Sequence, residues 1–400
     1  MNINRLLAIC SIIACTAIAW FLLGGAVQHR SSESDEHLCA EVIRNWGPVL
    51  TQEHPSLFYE APTSAHAHRA IQPEKSDIKV SLTFDPKQKG LLWYRTYKAD
   101  FTGEYLVKNP TPIAQTIYVA FKFPAAEARY EAFSLKLGEK LTDKAPVGGE
   151  IRESLLLGPG AEVPLTVSYR ATGLNQWSYS LKNESRLKNL HLVMTTNFPE
   201  INIPAFAESP TSRTAAGGGL KLQWDYSDVI GANAIAMDMP AVTNPGHVAG
   251  RMTFFAPVSL LFFFAVLVIV GMREGLNLHP MNYFFLAAGC FAFQLLFSYL
   301  VDLVPLMLSF LIAAAVSLLL VNGYLWRATN RRFAIISAVA QFAYMILFSY
   351  SFFFDGLTGI TITAGAIVTL ALLMAFTARI KWEGVFTPRS GPPPFPTSPA

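Results

Sequence analysis

The sequence predicts a membrane protein that combines an exported all-β, sandwich-like domain with an α-helical transmembrane bundle of six spans in total. The first observation is composition, because 52% of the 400 residues are hydrophobic and only 15% are charged, whereas an average soluble chain is roughly 25% charged. The second is that apolar residues gather at the two ends of the chain, which raises the mean hydropathy to +0.33. The third is a central segment with the period-two alternation of β-strands.

Six stretches are apolar over about the 20 residues that a membrane-crossing helix needs. The predicted spans are Leu6–Leu23, Met252–Met272, Met281–Val301, Val304–Leu325, Phe333–Phe354 and Leu357–Ala378. The last five carry no acidic or basic residue in their interiors. A soluble domain of this size could not bury five such helices, so the lipid bilayer is the predicted partner of these segments.

Positive charges alternate between the loops, which predicts orientation because loops rich in Lys and Arg stay in the cytoplasm. The loops predicted to be cytoplasmic carry Arg5, Arg273, Arg327, Arg331, Arg332, Arg379, Lys381 and Arg389. The loops after the third and fifth spans carry Asp302 and Asp355 instead. We therefore predict a multi-pass membrane protein with both termini in the cytoplasm and residues 26–250 outside the cytoplasmic membrane.

The net charge of +3 has the same origin. Residues 26–250 hold 22 Lys/Arg and 24 Asp/Glu, whereas residues 251–400 hold eight Lys/Arg and four Asp/Glu. The excess of positive charge therefore lies in the cytoplasmic loops and forms no basic patch of the kind that binds nucleic acid. No nucleic-acid partner is predicted.

Five regions follow from composition and charge. They are an N-terminal transmembrane anchor (1–25), a short helix and linker (26–76), a periplasmic β-sandwich-like domain (77–250), a five-helix transmembrane domain (251–383) and a disordered cytoplasmic tail (384–400). A cleavable signal peptide is the alternative for the first region, because Gly24, Gly25 and Ala26 are small, as signal peptidase requires. The apolar run before them is 18 residues long, longer than the roughly 7–15 typical of a signal peptide, which favours the anchor.

In the exported region, Ser34 is predicted to cap a short amphipathic helix that Gly47 and Pro48 end. Residues 52–76, rich in Pro, His and Ala, are predicted to form an irregular linker. Strands are predicted at 77–84, 92–97, 99–107, 116–123, 131–137, 151–156, 163–169, 177–181, 190–195 and 220–226. Their spacing of roughly 8–15 residues, with turn residues between them, favours an antiparallel sandwich over alternating βαβ units.

Candidate chemistry in this region is sparse. His66 and His68 could form a metal pair, but they lie in the predicted linker without a neighbouring acidic cluster. Residues 217–219, three glycines, are predicted to be a turn rather than a phosphate loop. Asp225 and Asp228 are predicted to lie on a solvated face. With no catalytic motif in view, we predict neither enzymatic activity nor a cofactor.

A lone cysteine, Cys39, lies in the exported region, so no disulfide can form within it. We expect Cys39 to be half-buried, with an intermolecular disulfide as the less favoured alternative.

Polar residues inside the predicted spans are uncharged, and Gln294, Asn322 and Gln341 are the most central of them. Each could hydrogen-bond between helices. Helix packing is the favoured interpretation, and a transport path lined by these side chains is the alternative.

The membrane half resembles a known family. Residues 275–286 contain a short loop, a turn at His279-Pro280 and an Asn282-Tyr283-Phe-Phe entry to a span, and they resemble the CreD family of bacterial inner-membrane proteins. Residues 291–300, 327–332 and 377–382 are also similar to that family, as is the plan of one span, a large periplasmic domain and a group of spans.

The resemblance implies a location in the bacterial inner membrane, with residues 26–250 in the periplasm, and a non-enzymatic role in cell-envelope integrity or stress response. The size and sandwich style of the exported domain favour a role in binding an envelope protein or a periplasmic ligand. It implies no catalytic residues, and it leaves the oligomeric state open. His279, Pro280, Asn282 and Tyr283 are expected to form a structurally important turn. A component of a transporter or channel, with a path through the five-helix bundle, is the alternative function.

Overall fold

The structure, a computed structural model, describes residues 3–60, 68–90, 92–181, 186–276, 278–354 and 358–377. The chain divides into two compact units. The helix unit comprises Met1–Ser34 and Thr243–Ala400, and the β unit comprises Asp35–Val242. The chain therefore has a large β-rich part and a part built from long apolar helices.

The described helices are α1 (Ile3–Trp46), α2 (Pro245–Arg273), α3 (Pro280–Leu300), α4 (Leu306–Ala328), α5 (Arg331–Gln341), α6 (Phe348–Tyr350) and α7 (Thr358–Thr377). A π-helical segment, Phe342–Leu347, joins α5 to α6, and a 3-10 turn, Ser351–Phe353, follows α6. Within the described residues, five helical stretches are long and apolar enough to cross a membrane: Asn4–Trp46, Pro245–Arg273, Pro280–Leu300, Leu306–Ala328 and Arg331–Phe353.

The sixth predicted span coincides with α7. Of that helix, Ile362–Ala371 is identified as an apolar stretch, shorter than the other five. The predicted tail at 384–400 lies outside the described residues.

Helix boundaries in this unit follow from residues that the sequence places at the ends. Pro245 and Pro280 occupy the first turns of α2 and α3, where a missing backbone N–H costs nothing. The Asn330 side chain accepts a hydrogen bond from the Phe333 backbone N at 2.9 Å and so caps α5. Large buried side chains fill the space between the helices, among them Trp20, Phe263, Phe293 and Phe310.

Helix α1 differs from the prediction. A separate helix capped by Ser34 was expected, whereas Ser34 lies within a single helix of 44 residues. The reason is local, because no proline interrupts residues 24–33 and both glycines there adopt helical backbone. Gly47 and Pro48 do end the helix, with Gly47 at a φ of 97°, in the left-handed region that favours glycine.

The β unit contains seventeen described strands. They are β1 (Leu50–Glu53), β2 (Ser56–Glu60), β3 (His68–Ile71), β4 (Lys75–Phe84), β5 (Lys87–Lys89), β6 (Leu92–Tyr94), β7 (Thr96–Lys108), β8 (Gln115–Lys122), β9 (Tyr130–Leu137), β10 (Lys140–Leu141), β11 (Glu150–Leu157), β12 (Glu162–Leu174), β13 (Gln176–Ser180), β14 (Leu187–Thr196), β15 (Ser212–Ala216), β16 (Gly219–Val229) and β17 (Ala234–Asp238). Nine of the ten strands predicted from the sequence each coincide with one of these. The predicted strand 92–97 is divided between β6 and β7, and β7 also contains the predicted strand 99–107.

The strands form four sheets. The largest has the order β10-β9-β12-β7-β4-β14-β16-β15, a second has the order β11-β8-β2-β3, and a third has the order β1-β13-β17. Strands β5 and β6 form a separate hairpin. Pairing is mostly antiparallel, as predicted, but β1 pairs with β13 and β4 with β14 in parallel. Parallel strands are not joined by a hairpin turn, so the sequence contains no local signal that predicts which two strands pair.

One buried core joins the three larger sheets. The ring of Phe121, on β8, lies 6.4 Å from that of Tyr169, on β12. Phe101, on β7, stacks on Tyr169 at 4.9 Å and lies 6.3 Å from Tyr179, on β13. Aromatic pairs at these separations bury large apolar areas. The sheets therefore pack face to face across these rings.

The predicted linker is another difference. Residues 52–76 were expected to be irregular, yet β1, β2, β3 and the start of β4 lie in or overlap this range. These strands are held by partners far along the chain, as in the pairing of Thr51 with Ser178 and of Leu57 with Val119. Their local sequence lacks clear alternation, so the pairing rather than the pattern makes them strands.

Candidate functional site

The turn before α3 is formed by the residues that were singled out for it. The Nδ1 atom of His279 accepts a hydrogen bond from the Met281 backbone N at 3.2 Å, so His279 caps the helix. Pro280 is the first helical residue. Since a residue before proline avoids helical backbone, this pair sets the point where α3 begins.

Asn282 and Tyr283 connect α3 to two different neighbours. The Asn282 Oδ1 atom accepts a hydrogen bond of 2.9 Å from the Tyr324 hydroxyl of α4. Tyr283 is buried, and its ring lies edge-on to Phe264 of α2 with centroids 5.3 Å apart. Both contacts fix helix positions, which is a structural role.

Asn322 and Gln341 come together between α4 and α5. The Asn322 Nδ2 atom donates to Gln341 Oε1 at 3.1 Å, and Gln341 Nε2 donates to the Ser317 hydroxyl at 3.2 Å. The Ser317 hydroxyl in turn donates to the Gly289 carbonyl of α3 at 2.9 Å. Side-chain chemistry thus links three helices. A Cβ atom on Gly289 would lie 2.7 Å from Val321 Cγ2, so the helices approach closely at this point.

Gln294 lies apart from that network. Its Nε2 atom is 3.5 Å from the Ser349 hydroxyl on α6, and the side chain is fully buried. Its Oε1 atom has no hydrogen-bond partner, and neither has the hydroxyl of Ser298, one turn further along α3. The three polar residues predicted in the bundle therefore fall into two groups, one with Asn322 and Gln341 and the other with Gln294.

The far end of α3 carries an ion pair. Arg30 Nη2 lies 2.6 Å from Asp302 Oδ2 and donates to the Ser298 carbonyl at 2.9 Å. The guanidinium also lies 5.4 Å from the centre of the Tyr299 ring. Both charged side chains are about two-fifths exposed. The acidic residue predicted for the next loop on that side, Asp355, lies outside the described residues.

In the β unit, the outward side chains of the eight-stranded sheet form a polar face, which we call the open face. Cross-strand neighbours on it include Ser168, Thr102, Lys79, Val193 and Gln223, one from each of five adjacent strands. A depression of about 510 Å³ lies on this face. Its lining residues are Lys79, Val80, Ser81, Asp100, Thr102, His191, Val193, Thr195, Lys221 and Gln223.

Charges of both signs surround this depression. His191 Nδ1 pairs with the Asp225 carboxylate. Arg170 Nε lies 2.6 Å from Asp100 Oδ1, and these two residues also line an adjoining depression of about 420 Å³ with Glu131. The open face can therefore offer hydroxyl, ammonium, guanidinium and carboxylate groups to a polar ligand.

A second polar group is buried beneath the same sheet. His54 Nε2 lies 3.2 Å from the Ser76 hydroxyl, and its ring is edge-on to Tyr105 at 5.2 Å. The Tyr105 and Tyr179 hydroxyls are 2.9 Å apart. Burial lowers the pKa of His54 to about 4, and it raises the pKa of Tyr105 above its ordinary value. The imidazole is thus neutral at pH 7, and because it is only 6% exposed it does not present itself to a ligand.

Glu153 is a buried carboxylate with basic neighbours. Burial alone would raise its pKa, but hydrogen bonds from Lys140, Thr142 and Lys144 outweigh it and lower the pKa of Glu153 to about 2. The Lys140 and Lys144 ammonium groups lie 2.8 and 3.3 Å from Glu153 Oε2. A carboxylate held in this way stays ionised and joins β11 to the β10 region.

Candidate metal ligands do not cluster in the described part of the chain, where no three His, Cys, Asp or Glu side chains are placed to hold a metal ion. His66 lies outside the described residues, and His68, on β3, packs against Phe58 with ring centroids 4.9 Å apart. Asp225 and Asp228 both lie on β16, where they pair with His191 and Arg186 respectively. Cys39 is half-buried and forms no disulfide.

Sequence reasoning missed the open face and the His54 group. The alternating pattern of β4 could have predicted one polar side of the strand, because Asp77, Lys79 and Ser81 are its outward residues. Which strands would lie beside β4 could not be read from that pattern. His54 carried no signal, because its partners Ser76, Tyr105 and Tyr179 are 22 to 125 positions away along the chain.

The β-rich unit and the long apolar helices together define a class, that of chains with a β domain and several helices that could cross a membrane. They do not define a particular protein. No family model and no curated protein matches the chain. Among solved structures, it is similar to one from Legionella pneumophila described as a "putative nutrient binding protein". The identity is 14%, the TM-score is 0.35, and the match covers 51% of this chain and 75% of the other. A likeness of that size carries no argument about function.

Proposed function

We propose that this chain is a multi-pass protein of the bacterial inner membrane whose β unit lies in the periplasm and binds a polar ligand or partner of the cell envelope. Support for the location is the alternation of Lys and Arg between loops, which favours an orientation with both termini in the cytoplasm. Support for the class is the set of five helical stretches long and apolar enough to cross a membrane.

The observation that carries the binding role is the open face. In an antiparallel sheet packed on a core, one face is apolar and the other meets water, but this water-facing side also forms a depression of about 510 Å³. Eight of its ten lining residues are polar or charged, and the two valines are the exceptions. The aliphatic parts of these side chains nonetheless make up most of the exposed lining. The fitting occupant therefore combines hydrogen-bonding groups with an apolar part.

A role in envelope integrity or stress response, and kinship with the CreD family, remain part of this proposal. They are supported by residues 275–286 and by the order of the units along the chain. Non-enzymatic action is proposed with them, since binding alone accounts for the open face.

Site-specific photo-crosslinking in intact cells tests the binding role. We expect a crosslinker at Thr102, in the depression, to capture a distinct envelope component, while one at Val147, 82% exposed and away from the depression, does not. Lys79 is exposed and lines the same depression. Adding Lys79→Glu to the protein that carries the crosslinker at Thr102 should reduce capture about tenfold, which corresponds to a loss of roughly 1.4 kcal/mol of binding free energy. Equal capture from Thr102 and Val147 would contradict the proposal.

A transport component remains the second candidate, because buried polar side chains connect α3, α4 and α5. It is tested by single cysteine substitutions at Gln294, Asn322 and Gln341 in a full chain whose four native cysteines, Cys10, Cys15, Cys39 and Cys290, are replaced by serine. Labelling of these positions by a membrane-impermeant thiol reagent supports a path, and uniform protection counts against it. Leu319, 75% exposed on α4, is the control for a position facing away from the polar groups.

A further inference from the structure

The hydroxyl groups inside the helix unit behave in two different ways. The usual behaviour of a buried Ser or Thr in a helix is to donate to a carbonyl of the preceding turn. Thr253 donates to the Ala249 carbonyl at 2.8 Å, and Ser309 donates to the Pro305 carbonyl at 3.3 Å. The hydroxyls of Ser298 and Ser337 make no such bond, although both residues are buried.

The exceptions lie beside other unpaired polar atoms. Ser298 follows Gln294 by four residues, so the two side chains share one face of α3, and Gln294 Oε1 also lacks a partner. Ser337 precedes Gln341 by four residues on α5, and Asn322 Oδ1, on the residue bonded to Gln341, is unpaired as well. Each group thus combines an amide oxygen that can only accept with a hydroxyl that can donate and accept.

The backbone between the two groups is irregular. Gln341 ends α5, Ser349 belongs to α6, and the π-helical segment Phe342–Leu347 separates them. A π-helical segment is wider than an α-helix and recurs at functional sites in proteins. No hydrogen bond given for the described residues joins Gln294 or Ser298 to Asn322, Ser337 or Gln341, so we treat the two groups as separate sites.

We propose that these two groups are internal water sites of the helix unit, one at Gln294, Ser298 and Ser349 and the other at Ser337, Asn322 and Gln341. At each site, a water molecule donates one hydrogen bond to the unpaired amide oxygen and forms a second hydrogen bond with the serine hydroxyl. Both buried polar groups then have a hydrogen-bond partner. The three side chains named at each site are neutral, so a neutral hydrogen-bonding molecule is the fitting occupant. The inference deepens the transport candidate and is independent of the ligand-binding role.

Radiolytic hydroxyl-radical footprinting of the full chain in lipid nanodiscs tests this, because radicals formed from internal water oxidise side chains that bulk solvent does not reach. Two matched pairs of buried residues provide the comparison. Met345, between the two sites in sequence, is compared with Met252 on α2, and Phe297, next to Ser298, with Phe263 on α2; all four are 1% exposed or less. We expect Met345 and Phe297 to be oxidised several-fold faster than their partners.

Variants assign the effect to the first site. Gln294→Met combined with Ser298→Ala replaces both unpaired groups by apolar ones and should bring the oxidation of Phe297 down to that of Phe263. Ser309→Ala is the matched control, because that hydroxyl is bonded to its own helix turn, and it should leave Phe297 unchanged.

Oxidation of Phe297 and Met345 at the rates of Phe263 and Met252 in the unmodified chain would overturn the proposal, and this comparison needs no variant to fold. Unchanged oxidation of Phe297 in the double variant would also overturn it. Water sites without any solute flux in proteoliposomes would leave the inference intact and remove the transport candidate.

Discussion

Acidification from pH 6.5 to pH 4.5 is expected to lower the free energy of unfolding of the β unit by about 2 kcal/mol through His54 alone. In the unfolded chain this imidazole takes up a proton near its ordinary pKa of 6.5, whereas burial lowers the pKa of folded His54 to about 4. The unfolded state therefore binds more protons over this interval. Stability is present in full above pH 6.5 and is lost as the pH falls toward 4.

The measurement is urea unfolding of the full chain in detergent, followed by near-ultraviolet circular dichroism, across pH 4.5 to 7.5. His54→Gln is the matched variant, because an amide fills similar space and hydrogen-bonds but does not titrate. We expect it to be less stable at pH 7.5 and to lose most of the pH dependence above pH 4.5. The pKa of Glu153, lowered to about 2, acts in the separate interval below pH 4.5. Equal slopes in the two proteins would show that His54 is not the titrating group.

Replacing Gly219 with alanine is expected to destabilise the β unit by about 3 kcal/mol or more, at the upper end of the cost of overpacking. A Cβ atom at this position would overlap the Thr196 carbonyl oxygen and lie 2.6 Å from its carbon and 2.9 Å from Asn197 Cα. These are backbone atoms and cannot rotate away. Strands β14 and β16 would have to separate where Thr196 also accepts from the Leu220 backbone N.

Alanine substitutions at two other glycines, Gly218 and Gly158, provide the controls and are measured by the same urea unfolding. Gly218→Ala meets no atom within 4 Å but keeps a φ of 87°, which should cost roughly 1–2 kcal/mol in backbone strain. Gly158→Ala meets no atom and has no positive φ, so it should stay within about 0.5 kcal/mol. A Gly219→Ala variant no less stable than Gly218→Ala would refute the close approach.

The turn at 217–219 shows how far local pattern reaches. Gly217 and Gly218 both have positive φ, as the tight turn between β15 and β16 requires. The sequence indicated a turn there without indicating β15, all of whose residues are exposed. A short exposed edge strand has no apolar face to reveal it.

The candidate residues in the helix unit also separate into those that local sequence rules could place and those whose contacts depend on helix packing. His279 and Pro280 act on their own helix start, and local rules were enough to place them. Asn322 and Gln341 were each recognised as uncharged polar residues within a span, but their direct contact depends on how α4 and α5 pack. That Gln294 stands apart from them also depends on packing.

By itself the sequence determined the length and apolar character of the helices, the alternation of the long strands and the residues that begin and end several of them. These properties arise from neighbours within a few positions, through hydrophobic periodicity and capping. The tertiary structure alone decided the parallel pairs β1–β13 and β4–β14, the burial of His54 and the assembly of the open face. Each of these joins residues far apart in the chain, and the free energy that holds them comes from burial and pairing that no local pattern contains.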